Sequence, residues 1–257
     1  MLRFCANLSM LFTELPLEQR FAAAKRHGFQ AVEIQFPYEL PAERIKALLD
    51  EHGLRMVLFN VPADDLLQGG EGLAAVPEKR ERFLDGLQQA CDYAVTLDAL
   101  LVNILPGRCL NRARLNDYLS TFIQNLRLAA DRLAGIGVTA VFEAINSVDM
   151  PGFLLDDHAK MLAVFSELAH PNLGLQYDIY HMSRMQQDCT QFLARHIDKI
   201  SHIQFADCPG RGQPGSGTVD FDALFDLLRK LNYCGWVGAE YKPTGNTVDS
   251  LSWLQSR

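Results

Sequence analysis

Eight times along the chain, a short run rich in apolar and β-branched residues is followed by a longer segment with helical spacing. The runs cover residues 3–8, 31–36, 55–61, 99–105, 138–143, 173–178, 200–206 and 236–241. The helical segments cover residues 15–27, 41–52, 78–97, 111–134, 156–168, 187–198, 221–231 and 247–255. Strand and helix in strict alternation is the pattern of a parallel sheet whose crossovers are helices. Eight such units in 257 residues match the length of one α/β barrel, about 250 residues. The expectation is therefore a single (β/α)8 TIM barrel domain over residues 1–257. An open sheet of eight parallel strands is the alternative, because closure is not written in a sequence. Stop and start signals agree with the spacing: Gly28 and Gly53 lie just past helices, and Pro41 and Pro77 lie at helix starts.

Composition narrows the functional classes. Lys and Arg number 24 against 31 Asp and Glu, a formal charge of −7. A nucleic-acid partner needs a surplus of cations to neutralise phosphates, so none is expected. Uncharged runs stop at about ten residues, half of what a membrane-spanning helix needs, so no membrane partner is expected either. The first apolar stretch is broken by Asn7, Ser9, Thr13 and Glu14, which makes a poor secretion signal. The six cysteines are scattered without a C-x-x-C pair and read as free thiols of a cytoplasmic protein. No helical segment shows an apolar stripe assignable to a subunit interface, so a homo-oligomer stays open.

Side chains alternate along a strand, and in a barrel one parity faces the helices while the other faces the interior. In the last four runs the sets Val138/Ala140/Phe142, Leu173/Leu175/Tyr177, Ile203/Phe205 and Val237/Ala239/Tyr241 are apolar. The opposite parity carries an oxygen-bearing side chain near each C-terminal end: Glu143, Asp178, Gln204 and Glu240. Adjacent strand ends are neighbours in a closed barrel, so these four can converge. Three carboxylates buried together repel one another and are costly to desolvate unless a cation or protons intervene. Four oxygen ligands suit Mg²⁺ or Mn²⁺ better than they suit a structural zinc.

Other polar residues repeat this placement. Asn7, Glu33 and Asn103 lie on the first, second and fourth runs, where they either line the same cavity or satisfy structural hydrogen bonds. His181 follows Asp178 closely enough to touch substrate or to support the cation site. His202 shares the parity of Gln204 but lies deeper and reads as core. His27, His52, His158, His170 and His196 fall on or beside helices, towards solvent or the outer shell. The longest connection, residues 62–77, is either a lid over the site or an ordinary surface loop. Residues 210–215 match G-x-G-x-x-G, but Pro214 and Gly217 delay the next helix past the place where a pyrophosphate would need its N-terminus. That match is rejected.

Several motifs resemble the hydroxypyruvate isomerase family of the xylose-isomerase-like TIM barrels. They are Ala6-Asn7-Leu8-Ser9, Phe36-Pro37-Tyr38, Glu143-Ala144-Ile145-Asn146 with Pro151-Gly152-Phe153, Gln176-Tyr177-Asp178-Ile179-Tyr180-His181, residues 209–215 beginning Pro209-Gly210-Arg211, and residues 235–243 containing Glu240-Tyr241-Lys242-Pro243. They keep their order from the first strand to the last helix. The resemblance implies an isomerase converting hydroxypyruvate to tartronate semialdehyde. It also implies a metal held by Glu143, Asp178, Gln204 and Glu240, with the two glutamates as proton donor and acceptor. The chain departs from the family pattern at Asp64 and Glu78, where glycine is usual, and at Ala239, where cysteine is usual.

The chemistry then follows. Moving a carbonyl to the next carbon means removing a proton beside it and returning one a carbon away, while charge on the two oxygens is stabilised. The substrate carboxylate needs a cationic partner, for which Lys242, Arg108 and Arg211 are the candidates, each also readable as a surface charge. Isomerisation of 2-oxo-tetronate is the near alternative. An abasic-site endonuclease shares the superfamily, but it needs clustered lysines and a histidine-rich zinc set. A sugar epimerase or a non-catalytic sugar-acid binding barrel is further off.

Overall fold

The computed structural model describes residues 1–255. Within them eight parallel strands close into a barrel in sequence order. They are β1 Arg3–Asn7, β2 Ala31–Ile34, β3 Arg55–Asn60, β4 Leu101–Asn103, β5 Thr139–Phe142, β6 Leu173–Asp178, β7 Ile200–Phe205 and β8 Trp236–Ala239. Closure, sealed by β1 pairing with β8, removes the open-sheet alternative. The helices are α1 Leu17–Arg26, α2 Ala42–His52, α3 Arg80–Leu97, α4 Leu115–Ala134, α5 His158–Leu168, α6 Ile179–Arg184, α7 Cys189–His196, α8 Phe221–Lys230 and α9 Ser252–Gln255.

Two elements differ from the sequence expectation. The last helical segment is a 3-10 turn, Val248–Leu251, before the short α9. The sixth connection holds an additional helix, α6, which begins where β6 ends. Asp178 turns the chain there: its Oδ1 accepts the backbone N–H of Tyr180 at 2.7 Å and of His181 at 3.4 Å, an N-cap at a strand terminus.

Parity sorts the core as the alternation predicts. Val138, Ala140, Phe142, Leu175, Tyr177, Ile203 and Phe205 pack outward with the helices in one continuous core. The α8 helix shows why the spacing works. Phe221, Leu224, Phe225 and Leu228 recur at helical intervals and are buried, each contributing ~1.5–3 kcal/mol on leaving water. Inside the barrel a separate apolar cluster forms, with Cys5, Ala31, Val57, Leu101, Val141 and Trp236 among its members. Above it the interior turns polar, and that layer carries the site.

The 62–77 connection is a wall. Its 3-10 turn, Leu66–Gln68, drives Leu66 into a small apolar cluster with Ala63, Leu105, Ile145 and Phe153. Arg108 holds it from outside by donating from Nη1 to Gly69 O at 2.8 Å. Asp64, at φ +53° where glycine is favoured, pairs with Lys79 and Arg82. Glu78 pairs with Arg114. Two of the three departures from the family pattern, Asp64 and Glu78, thus serve ion pairs.

The glycine-rich segment 210–215 folds around an internal anion. Asp207 accepts the backbone N–H groups of Gly215, Gly217, Cys208 and Val219 at 2.8–3.0 Å. The amides of Gly215 and Gly217 are therefore spent on a carboxylate of the chain itself.

Candidate active site

Strand register brings the expected residues together. Asp178 pairs with Gln204 across β6 and β7, and Gln204 with Gly238 across β7 and β8. Glu143 and Glu240 each stand one residue past their strands. Glu143, Gln204 and Glu240 line one cavity of about 220 Å³, with Asn7, His181 and Arg211 also in its wall. Asp178 sits just behind, its Oδ2 3.4 Å from His181 Nε2 and 4.0 Å from Arg211 Nη2. One side of the cavity is apolar, built by Phe36, Leu58, Leu66, Leu67, Leu105 and Ile145.

Each glutamate is held by donors from neighbouring strands. Glu240 Oε1 accepts from Asn7 Nδ2 at 2.9 Å and Gln35 Nε2 at 2.8 Å, and its Oε2 takes Arg211 Nη2 at 2.7 Å. Glu143 Oε1 accepts from Asn103 Nδ2 at 2.8 Å and Gln176 Nε2 at 2.9 Å. Asn103 thus supports a glutamate from below and does not line the cavity. Glu33, one layer deeper, accepts from Asn7 and Gln204 and is likewise absent from the cavity lining. His202, fully buried, is core as expected, with its Nε2 2.6 Å from Glu33 Oε2.

Burial without enough positive charge dominates the electrostatics. Desolvation pushes Glu143 well above the ordinary carboxylate range, helped by repulsion from Glu240 and Asp178. Desolvation and Glu240 raise Asp178 to about 7 against the pull of Arg211. Glu240 is raised by burial, with Arg211 opposing. Burial, then Arg211, holds His181 well below the usual imidazole value, so the ring is neutral. Asn146 Nδ2 donates to its Nδ1 at 2.7 Å. Asn146 is itself oriented by Asp149 N, which donates to its Oδ1 at 2.7 Å. The proton of His181 therefore sits on Nε2, the ring nitrogen turned away from Asn146.

These residues fit a divalent cation. Asp178 Oδ2 is buried with no hydrogen-bond partner, and Glu143, Asp178 and His181 offer atoms within 4.8 Å of one another. The tautomer makes His181 a donor, so the carboxylates and the oxygen of Gln204 suit a cation better than the imidazole does. Glu240 lies outside that tight group because Arg211, Asn7 and Gln35 hold its oxygens.

Two of the three candidate cations are elsewhere. Lys242 is exposed; only its backbone reaches the site, its N–H donating to Arg211 O at 2.7 Å. Arg108 donates to Pro151 O and Gly69 O and lines a separate surface depression. Position relative to the strand ends misled for both, by parity for Lys242 and by nearness to β4 for Arg108, because the chain has already turned away from the strand direction there. Arg211 is the cation that lines the cavity among the described residues. Its ring partner is Tyr180, 5.1 Å from the guanidinium carbon, and its buried Nε has no partner. Sequence reasoning also passed over Gln35, Asn60, Asp149 and Met150 in the lining. Gln35 had the signal, sharing the parity of Glu33; Asp149 and Met150 lie in a loop where no periodicity points to a cavity.

Gly238 makes the layer under the site feasible. A Cβ there would lie 2.5 Å from Glu33 Oε2 and 2.7 Å from Oε1, and Glu33 cannot step aside while His202, Asn7 and Gln204 hold it. Gly238→Ala should lower stability by about 1–3 kcal/mol, the usual cost of overpacking a filled interior. Urea unfolding reads this directly, and an unchanged midpoint would mean the carboxylate moves freely.

Comparison with known proteins agrees with this architecture. The family model described as "Xylose isomerase-like TIM barrel" matches residues 21–257. Hydroxypyruvate isomerase of Escherichia coli strain K12 is 40% identical over 254 residues, covering 99% of this chain and 98% of that protein. The 2-oxo-tetronate isomerase of Cupriavidus necator is 38% identical, covering 98% and 97% respectively. A solved structure from Brucella melitensis, described as an AP endonuclease of family 2, superimposes with a TM-score of 0.96 at 36% identity, covering 100% of this chain and 99% of its own.

Proposed function

Since the chain belongs to the xylose isomerase-like TIM barrel family, we propose that it isomerises a small 2-oxo acid, converting hydroxypyruvate to tartronate semialdehyde by proton transfer between neighbouring carbons. One observation carries the reading: two buried glutamates, from β5 and β8, face one cavity that also holds a guanidinium with an unused donor. Arg211 offers that Nε–H to the substrate carboxylate. Glu143 and Glu240 exchange protons with the two carbons, one taking and the other returning. Their buried environments raise both above the ordinary carboxylate value, the direction that favours a carboxyl returning a proton as well as taking one. His181 points its Nε2–H into the same space and hydrogen-bonds a substrate oxygen. The Leu66 and Leu105 wall excludes water from the intermediate. Glu143, Asp178, Gln204 and Glu240 would hold Mg²⁺ or Mn²⁺, which supplies Lewis-acid stabilisation of the charge developing on the substrate oxygens.

The test is a substrate panel on metal-loaded protein: hydroxypyruvate, 2-oxo-tetronate, fructose and xylulose. Hydroxypyruvate should give the highest kcat/KM. A preference for 2-oxo-tetronate would favour the second reading, supported by relatives of that name at similar identity; a preference for neutral sugars would contradict both. The name carried by the Brucella structure suggests a nuclease. Net charge −7 and a single histidine beside the carboxylates argue against phosphate-backbone binding, and a low-salt DNA-binding assay should show none.

Cation dependence has a definite pH sign. Asp178, at about 7, carries a proton on the acid side of neutrality that a cation must displace, and the raised Glu143 acts in the same direction. Affinity for Mn²⁺ should therefore strengthen as pH rises from 6 to 8. Exhaustive chelation should abolish turnover, and Mg²⁺ or Mn²⁺ should restore it. Full activity in protein shown by elemental analysis to be metal-free would overturn the cation site.

A further inference from the structure

Glu33 is fully buried beneath the cavity, and no step above uses it. Its Oε2 faces His202 Nε2 at 2.6 Å and Cys5 Sγ at 3.4 Å. Its Oε1 accepts from two amides, Asn7 Nδ2 at 2.9 Å and Gln204 Nε2 at 2.8 Å. With its nitrogen committed downward, Gln204 turns its Oε1 to Gln176 Nε2, 2.6 Å away. The same Gln176 nitrogen reaches Glu143 Oε1. Gln176 Nε2 therefore donates both ways, through Gln204 to Glu33 and directly to Glu143.

An amide turned over keeps its shape but exchanges a lone-pair oxygen for an NH₂ group that cannot ligate a cation. Turning Gln204 over would set two NH₂ groups against each other. Turning Gln176 as well would set its oxygen against the Glu143 carboxylate. Acceptors at the two ends, Glu33 Oε1 and Glu143 Oε1, hold one sense, and Glu33 is the one that touches the Gln204 amide. Two amide N–H groups converge on Glu33 Oε1, which marks it as an acceptor.

We propose that Glu33 is a positioning residue that fixes the Gln204 amide with its oxygen towards the carboxylate cluster, and so sets the affinity of the site for a divalent cation. The inference rests on the reading of Gln204 as a ligand. Partners that orient ligands in this way are typically worth 10–100-fold in metal affinity.

The experiment is calorimetric titration of Mn²⁺ into chelator-stripped protein. Glu33→Met should raise Kd at least tenfold, and Glu33→Ala, whose vacated space water can fill, is the second variant should the methionine protein not fold. Glu33→Gln should stay within about threefold of wild type, since a glutamine oxygen can replace Oε1 while its NH₂ faces His202. In a Gln204→Ala background, removing Glu33 should cause no further loss, because the two act on one oxygen. Wild-type affinity in the Glu33→Met or Glu33→Ala variants overturns the inference. So does an equal loss in Glu33→Gln, which would assign the effect to charge. A full further loss in the Gln204→Ala background does the same, by assigning it to general packing. Wild-type protein that binds no Mn²⁺ is a separate outcome, overturning the cation site itself along with the inference.

Discussion

Glutamine in place of Glu143 or of Glu240 should each lower kcat by ~10²–10⁴-fold, the usual worth of a general acid or base. The amide keeps an oxygen for ligation but cannot accept and return a proton. Mn²⁺ affinity should therefore fall less than turnover in both variants. The local hydrogen bonds make the substitution mild for the fold at 143, where Asn103 and Gln176 can still donate to the remaining oxygen. At 240 Asn7 and Gln35 keep their acceptor, but the new NH₂ replaces the acceptor of Arg211, so some stability is lost there. Near-native melting with a collapsed kcat is the expected pair of results for Glu143→Gln, and a lower melting point with the same collapse for Glu240→Gln. A variant retaining more than about a tenth of wild-type kcat would remove that glutamate from the obligatory proton path.

Arg211→Met should cost roughly 2–5 kcal/mol in kcat/KM for hydroxypyruvate, the range for leaving a buried anion without its cation. Two effects combine in it: the substrate carboxylate loses a donor, and Glu240 loses its 2.7 Å partner. They separate by substrate. An uncharged hydroxy-ketone of similar size feels only the second, so its loss should be smaller. Equal losses for both substrates would mean that Arg211 acts through Glu240 alone. Lys242→Met is the control. Its side chain is exposed, so kcat/KM should change little.

What the sequence made legible divides along the strand ends. Period-two alternation holds as far as the ladder does, and it puts Glu143, Asp178, Gln204 and Glu240 on one interior face. The count of units and their length fitted a barrel, and the pairing of β1 with β8 closes it. Beyond the ladder the alternation loses its meaning. Lys242 shares the parity of Glu240, yet its side chain is in solvent: the Glu240 N–H still donates to Phe205 O of β7, while that of Lys242 goes to Arg211 O in the loop. Arg211 occupies a left-handed position in the loop folded around Asp207, and nothing local marks it as the cavity's cation. The α6 helix was hidden because Ile179, Tyr180 and Met182 are all buried, which erases the one-sided pattern that reveals a surface helix. Glu33 shows a third kind of limit. Its parity was readable, but its partner His202 stands 169 residues away, and only a closed barrel puts β2 and β7 on the same interior.

The central claim is proton transfer by two carboxylates, and isomerisation in D₂O tests it most directly. Metal-loaded protein would be given hydroxypyruvate, and the product followed by NMR at early times, before uncatalysed exchange. If one glutamate takes the substrate proton and the other returns one from a pool open to solvent, each tartronate semialdehyde should carry one deuterium at C2. Product that keeps the substrate's own hydrogen there, with no deuterium, would mean direct hydride transfer between the carbons and would contradict the account.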